Sequence, residues 1–171
     1  TRIGFYELLK KHGAKIKFSN IKKNNNEIHG DINIKSCKIK PIKASKDFYV
    51  KATDEYPILF VIAALTQGLS TFKGIEDLAN KESNRIKEMQ KILNQIGIKT
   101  IEKKNEIKIF GKKNLKIKKK IIKVPSLGDH RICMASLILS LLLGVKVKIY
   151  NFETVYTSSP SFLKIIKSLG G

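Results

Sequence analysis

Cysteine is scarce: the 171 residues hold two, Cys37 and Cys133. Thiols so few and so far apart make neither a disulfide framework nor a metal-ligand spacing, which excludes stapled secreted scaffolds and zinc modules. Nothing in the pattern calls for a metal or a cofactor. Cys133 falls inside an apolar helical pattern, which predicts a reduced core thiol. A long apolar run is missing as well. The longest, Ile132 to Val145, spans 14 residues and includes Ser136 and Ser140, short of the roughly 20 that a membrane crossing needs. It predicts a buried helix and no membrane partner. The start of the chain lacks the apolar core and cleavage pattern of a secretory signal. The expectation is a soluble, cytoplasmic chain.

Acidic residues are also few, 14 against 34 Lys and Arg, for a formal net charge of +20. Such an excess points to anionic partners: nucleic acid, an acidic membrane surface or phosphorylated metabolites. Much of it is Lys in Lys/Ile/Asn-rich segments such as Lys112 to Lys123, a composition that an AT-rich coding bias also produces. Aromatic residues are sparse and do not interleave with that basic run. No helix-turn-helix, zinc or RNA-binding motif accompanies it. A basic nucleic-acid-binding module is thus an alternative class with no motif behind it, and no specific nucleic-acid partner is expected. What the chain does have is 42% hydrophobic residues, enough for one sizeable core or two small ones.

Read in order, Thr1 to His12 is a helix with Phe5, Leu8 and Leu9 on one face, stopped by Gly13. A strand Ala14–Phe18, a polar turn from Ile21 to Asn26, and strands Ile28–Ile34 and Cys37–Ile39 follow. Asp54 caps an apolar helix from Tyr56 to Thr66 that tolerates Pro57 in its first turn. After it come strand Leu69–Lys73 and a short helical turn, Ile75–Ala79. Asn80 is the expected cap of a helix in which Ile86, Met89, Leu93 and Ile96 recur at helical spacing and Gly97 closes the run. Strands Ile98–Ile101 and Glu106–Phe110 lead into a Lys-rich strand region, 115–124. The loop Pro125-Ser126-Leu127-Gly128 then enters Asp129-His130-Arg131 and a helix that reaches Leu143 and stops at Gly144. Strand Val145–Tyr150 and a last helix, Pro160 to Leu169, complete the pattern.

Asp54 to Gly68 and Asp129 to Gly144 share one plan: Asp, charged or aromatic residues, apolar helix, Gly, strand. The order strand, buried helix, strand, surface helix, strand, strand recurs about once per 75 residues, with the first copy only partly present. That is an α/β pattern. A helix apolar all round has to lie inside, which places helices in the middle and sheets outside.

Three helix starts carry charge. Glu82 and Arg85 sit one turn before Ile86 and Met89, at the head of a buried stripe. They admit two readings, a helix-start ion pair three residues apart or part of a site. Asp54 and Asp129 likewise read as simple N-caps or as site carboxylates. His130 reads as a first-turn packing residue or a functional one. Arg131, opening an otherwise apolar helix, has to be paired or bind a ligand. If the Asp54 and Asp129 helices lie side by side and parallel, one face gathers Asp54, Glu55, Lys81, Glu82, Arg85, Asp129, His130 and Arg131. Helix N-termini favour anions, arginines bind carboxylate or phosphate bidentately, and carboxylates among cations can move protons. An anionic substrate undergoing proton transfer suits that face.

The segments Asp54-Glu55-Tyr56-Pro57, Lys81-Glu82-Ser83-Asn84-Arg85 and Gly128-Asp129-His130-Arg131, in this order and spacing, resemble the C-terminal part of 5-enolpyruvylshikimate-3-phosphate synthase. The resemblance runs over essentially the whole chain, from Arg2 and Gly4 through Ser159-Pro160-Ser161-Phe162. The sister enzyme that acts on UDP-N-acetylglucosamine shares the fold but not these motifs. The resemblance implies an inside-out, barrel-like α/β domain of βαβαββ repeats, of enolpyruvyl transferase type. Residues 1–171 would form a single C-terminal domain, about two full repeats plus part of a third. It implies transfer of the enolpyruvyl group of phosphoenolpyruvate to the 5-hydroxyl of shikimate 3-phosphate, with release of phosphate.

Carried over by the same resemblance, Asp54 accepts the hydroxyl proton and contacts shikimate 3-phosphate, which Lys81 also binds. Glu82 protonates the methylene of phosphoenolpyruvate, Arg85 and Arg131 hold its phosphate and carboxylate, and His130 sits beside them. Three departures stand. The family enzyme is more than twice as long, with its site in the cleft between two domains, so this half alone is expected to be inactive without an N-terminal domain as partner. With that face uncovered, some self-association is expected. Thr157 falls where many relatives carry a phosphoenolpyruvate-binding Lys, and Asn84 stands where Asp is commoner. A non-catalytic paralogue is the remaining alternative, against which the intact Asp54 and Glu82 argue.

Overall fold

The computed structural model describes residues 3–25, 27–117, 121–125 and 127–170. Arg2, Ser126 and positions 118–120 of the basic run lie outside the described residues. The element order is α1 (Gly4–Lys11), β1 (Lys15–Asn24), β2 (Glu27–Lys35), β3 (Lys43–Ala44), α2 (Tyr56–Leu65), β4 (Gly68–Lys73), α3 (Arg85–Gln95), β5 (Lys99–Lys103), β6 (Glu106–Gly111), β7 (Ile121–Val124), α4 (His130–Leu143), β8 (Lys146–Ile149), α5 (Thr154–Ser158) and α6 (Phe162–Ser168). Short 3-10 turns occupy Lys46–Lys51, Thr53–Glu55 and Glu76–Asn80.

Three sheets result. β1 and β2 form an antiparallel hairpin, β3-β4-β6-β5 a four-stranded sheet, and β7 and β8 a parallel pair. In the central sheet β3 runs parallel to β4, while β4 and β5 flank β6 antiparallel. The set β3-α2-β4-α3-β5-β6 is one whole βαβαββ unit. α1-β1-β2 matches its second half and β7-α4-β8 its first, so the repeat read from the two apolar helices is a real feature of the chain. The mixed architecture is α/β, with apolar helices inside and sheets outside.

α2 is the centre. Tyr56, Leu59, Phe60, Val61, Ala63 and Ala64 are inaccessible to solvent, and the helix packs against β6, α3 and α4. Each large apolar side chain buried there contributes about 1.5–3 kcal/mol. Tyr56, Phe60 and Phe72 of β4 meet edge to face, the last two with centroids 5.0 Å apart. β6 alternates, its Ile107 and Ile109 buried between more exposed neighbours. That is the period-2 pattern of a half-covered sheet. α3 buries Ile86, Met89, Ile92 and Leu93, one stripe of an amphipathic helix.

Several boundaries differ from the sequence reading. β1 runs on to Asn24, with a bulge between Ser19 and Lys22, where a polar turn was expected. Cross-strand pairing with β2 holds the polar residues extended. Cys37–Ile39 forms no strand, and the parallel partner of β4 is the two-residue β3. Asn80 does not cap α3: the helix starts at Arg85, and Asn84 accepts the N–H of Lys87. The last helix, expected over Pro160 to Leu169, is α6, Phe162–Ser168, and the short helix α5 before it was not expected. α4 is only half enclosed, with Leu141 and Leu142 40% and 62% exposed, although its composition predicted burial all round. The β7–β8 pair covers less of α4 than the four-stranded sheet covers of α2.

Gly111 ends β6 where the chain crosses the end of α2. A Cβ there would lie 2.0 Å from the Thr66 carbonyl oxygen and 2.1 Å from that of Ala63. Backbone oxygens cannot swing aside, so Gly111→Ala is expected to lower the urea unfolding free energy by about 3 kcal/mol. Gly97→Ala, whose Cβ meets nothing but whose φ is +79°, should cost only about 1 kcal/mol. Equal losses in the two variants would contradict the close approach.

Candidate active site

The site is assembled where α2, α3 and α4 begin, around Arg85. Its side chain is 1% exposed and is among the largest fully buried ones of the described residues. Nε donates to Asp129 Oδ2 at 3.0 Å, Nη2 to Glu82 Oε2 at 2.6 Å, and Nη1 to Asp54 Oδ1 at 3.4 Å. Asp129 is fully buried. Its second oxygen caps α4 by accepting the N–H groups of Arg131 and Ile132, and Ser83 Oγ donates to Oδ2 at 2.9 Å. Every lone pair the carboxylate needs to fill is engaged. A buried charge persists only on that condition.

The cluster opens toward solvent on one side. Asp54 is 30% and Glu82 46% exposed. Arg131 Nη2 reaches Asp54 Oδ2 at 3.3 Å, so Asp54 bridges the two guanidiniums. Arg131 Nε is buried and has no hydrogen-bond partner among the described residues. Burial works against the charge on Arg85, but Asp129, Glu82 and Asp54 outweigh it and hold the guanidinium above its ordinary pKa. Arg85 stays charged at any working pH. Two cations thus face three carboxylates, a near-neutral patch on a strongly basic protein.

Of the residues picked out in the sequence, Asp54, Glu82, Arg85, Asp129 and Arg131 lie in this one cluster. Asp54 is not the cap of α2. It sits in the preceding 3-10 turn, and α2 starts without a side-chain cap, because the arginines draw the carboxylate sideways. Glu82 precedes α3 in a bend, where it folds back onto Arg85. Lys81 lies beside the cluster and pairs with Asp77 at 3.1 Å. His130 is half-buried at the start of α4, with no side-chain hydrogen bond among the described residues. Thr157 donates to the Thr154 carbonyl of its own short helix at 2.8 Å, and makes no hydrogen bond to the cluster.

The sequence reading missed Ser83 as a support for Asp129, and it missed Tyr49 and Asp77. Tyr49 donates its hydroxyl to Asp77 Oδ2 at 2.7 Å. Asp77 was visible as the residue one turn before Lys81, whereas nothing local marked Tyr49. Among the described residues no group of three or more His, Cys, Asp or Glu is arranged to hold a metal ion. None of the described helices is long and apolar enough to cross a membrane.

Comparison with known proteins decides the family. The model of EPSP synthase (3-phosphoshikimate 1-carboxyvinyltransferase) matches residues 1–166. The chain belongs to the EPSP synthase family. A 3-phosphoshikimate 1-carboxyvinyltransferase of Petrotoga mobilis is 36% identical over 99% of this chain and 38% of its own length. One from Campylobacter jejuni is 36% identical with the same coverage. The EPSP synthase structure from Acinetobacter baumannii superposes with a TM-score of 0.81 at 32% identity, over 96% of this chain and 38% of that one. The enolpyruvyl transferase NikO of Streptomyces tendae, at 13% identity and a TM-score of 0.66, shares the fold. The chain therefore spans about 38% of the length of the relatives it matches.

Two measurements probe the cluster. Asp129→Ala removes a cap and strands the buried Arg85 charge, so a loss of about 4 kcal/mol in urea unfolding is expected. A loss below about 1 kcal/mol would mean that Arg85 readily finds water. Burial, with the Asp129 charge adding to it, pushes the Cys133 thiol up from 9.0 to about 11. The folded state therefore holds this proton more tightly than the unfolded chain. The corresponding stability is complete below about pH 9 and is lost as pH rises through about 11. Cys133→Ala should flatten that limb of the unfolding-versus-pH curve, and an unchanged limb would contradict it.

Proposed function

We propose that residues 1–171 are the C-terminal domain of an enzyme that transfers the enolpyruvyl group of phosphoenolpyruvate to the 5-hydroxyl of shikimate 3-phosphate. An N-terminal domain would supply the other wall of the site, and the chain alone would not turn over. The reading also puts the protein in the cytoplasm. The observation that carries it is one buried guanidinium, Arg85, binding Glu82 and Asp54 together, with Arg131 alongside, its Nε without a hydrogen-bond partner among the described residues. An acid, a base and two guanidiniums are thereby held in one place. The charge balance supports a half-site: a cluster with more carboxylates than guanidiniums needs further cations to hold two phosphorylated substrates.

In this reading Glu82 delivers a proton to the methylene carbon of phosphoenolpyruvate. The 5-hydroxyl oxygen then bonds to the adjacent carbon while Asp54 takes the hydroxyl proton. The product keeps its double bond, so the methyl group formed returns a proton to the now ionised Glu82 as the carbon–oxygen bond to phosphate breaks. Arg131, and Arg85 once substrate displaces its contact to Glu82 or Asp54, face the phosphate and carboxylate of phosphoenolpyruvate, and they stabilise the charge that develops on the departing phosphate. Lys81 and Asp54 face shikimate 3-phosphate, with His130 at the rim. Arginine suits the first role because its planar fork matches both anions.

The uncovered surfaces support the two-domain reading. Ile28, Ile32 and Ile34 of β2 are 54%, 39% and 61% exposed, whereas Ile107 and Ile109 of the equivalent strand β6 are inaccessible. Further chain over that hairpin and over α4 would bury them. The test is phosphate release from phosphoenolpyruvate plus shikimate 3-phosphate, using this chain mixed with the upstream half of its gene product. Turnover is expected only with both halves, and Glu82→Ala should reduce kcat by about 100-fold or more. Undiminished turnover in Glu82→Ala would remove the catalytic assignment.

A further inference from the structure

Tyr49, Asp77 and Lys81 form a chain that the proposed reaction does not explain. Asp77 lies in the first turn of the 3-10 segment and Lys81, four residues on, directly follows it, with Nζ and Oδ2 at 3.1 Å. Left at that, the pair is a surface ion pair of little energetic weight. It is not left at that. The Tyr49 hydroxyl, from a different segment 28 residues earlier, donates to the same Asp77 oxygen at 2.7 Å. Tyr49 is itself fixed, its ring 5.6 Å from that of the fully buried Tyr56 and its carbonyl accepting the Thr53 hydroxyl at 2.9 Å.

The chain points toward the site. Thr53 adjoins Asp54, and Lys81 adjoins Glu82, so the tether joins the two segments that carry the proposed base and acid. Burial, and then the hydrogen bond and charge of Asp77, push the Tyr49 hydroxyl above its ordinary pKa, so it keeps the proton it donates. Donation from Tyr49, then from Lys81, holds the Asp77 carboxyl below its ordinary pKa, so the tether is charged at neutral pH. A Lys side chain has four rotatable carbons and about 2 kcal/mol of rotamer entropy to lose on binding. A carboxylate that also accepts from the half-buried Tyr49 restrains that search before any ligand arrives.

We infer that Tyr49 is a positioning residue, which through Asp77 holds the Lys81 ammonium ready for the phosphorylated substrate. The inference rests on the reading of Lys81 as a contact to shikimate 3-phosphate. Tyr49 touches neither substrate in it. Its removal should weaken capture of one substrate and leave the chemical step alone.

The experiment is a double-mutant cycle in the enzyme completed by its upstream half, following KM for shikimate 3-phosphate and kcat. Tyr49→Phe keeps the ring packing and deletes only the donor. It should raise that KM roughly fivefold with kcat within about twofold. Lys81→Met should raise the KM further, and Tyr49→Phe added to Lys81→Met should then change nothing. Asp77→Asn should reproduce Tyr49→Phe. If Lys81→Met raises the KM but Tyr49→Phe leaves it unchanged, or raises it equally with and without Lys81, the positioning role is overturned and the functional reading stands. If Lys81→Met itself leaves KM unchanged, Lys81 is no substrate contact, and that reading of Lys81 and this inference fall together.

Discussion

A guanidinium with no access to solvent is the constraint on which the rest of this structure depends. Arg85 can be buried only because Asp129, equally buried, accepts from it, and because Asp129 is itself saturated by the first turn of α4 and by Ser83. Either partner alone would be a several-kcal/mol defect. The pair therefore locks the start of α3 against the start of α4, and the remaining two arms of Arg85 draw in the turn before α2 and the bend before α3. The apolar packing of α2 against α3 and α4 sets the distances at which this can happen. Packing and ion pairing specify the same geometry, so the carboxylates at the open edge stand on a rigid base.

The electrostatics of the whole chain and of the site point in different directions. A net charge of +20 suggests a surface that gathers anions indiscriminately. Yet the structure gathers three carboxylates around Arg85 and Arg131, and spreads lysines over outer strands such as β1 and β5. The lysines give long-range attraction that salt screens over about 8–10 Å. The cluster gives short-range, directional contacts that salt affects far less. Composition alone would have favoured the polyanion reading, and the geometry around Arg85 weighs against it.

Much of this was legible in the chain, for reasons that can be named. The apolar runs of α2 and α4, each closed near a Gly, marked buried helices because few other structures absorb ten or more such residues. Asp129 capping α4 followed from a short acceptor before an apolar run, and Gly144, with φ of +62°, from the left-handed stop it permits. The convergence of Asp54, Glu82, Arg85 and Arg131 was inferred from three charged helix starts, and the cluster brings those starts together. Asp54 and Asn80 were assigned as caps because local sequence weighs only neighbours. The pull of Arg85 on Asp54 acts from 31 residues away, and Asn84 was the better-placed cap by one turn. Tyr49 illustrates the limit most plainly: its partner Asp77 is brought near by the sheet alone, and no periodicity could announce that.

The central claim is that the starts of α2, α3 and α4 form one anion site centred on Arg85 and Arg131. It is tested most directly by backbone and guanidinium NMR of this chain, completed by its upstream half, during titration with phosphoenolpyruvate. The account predicts that the largest shifts fall on Glu82, Arg85, Arg131 and Asp54 together, with Arg131 Nε the most affected side-chain nitrogen. Shifts confined to the lysine-rich strands, with the cluster unmoved, would contradict it.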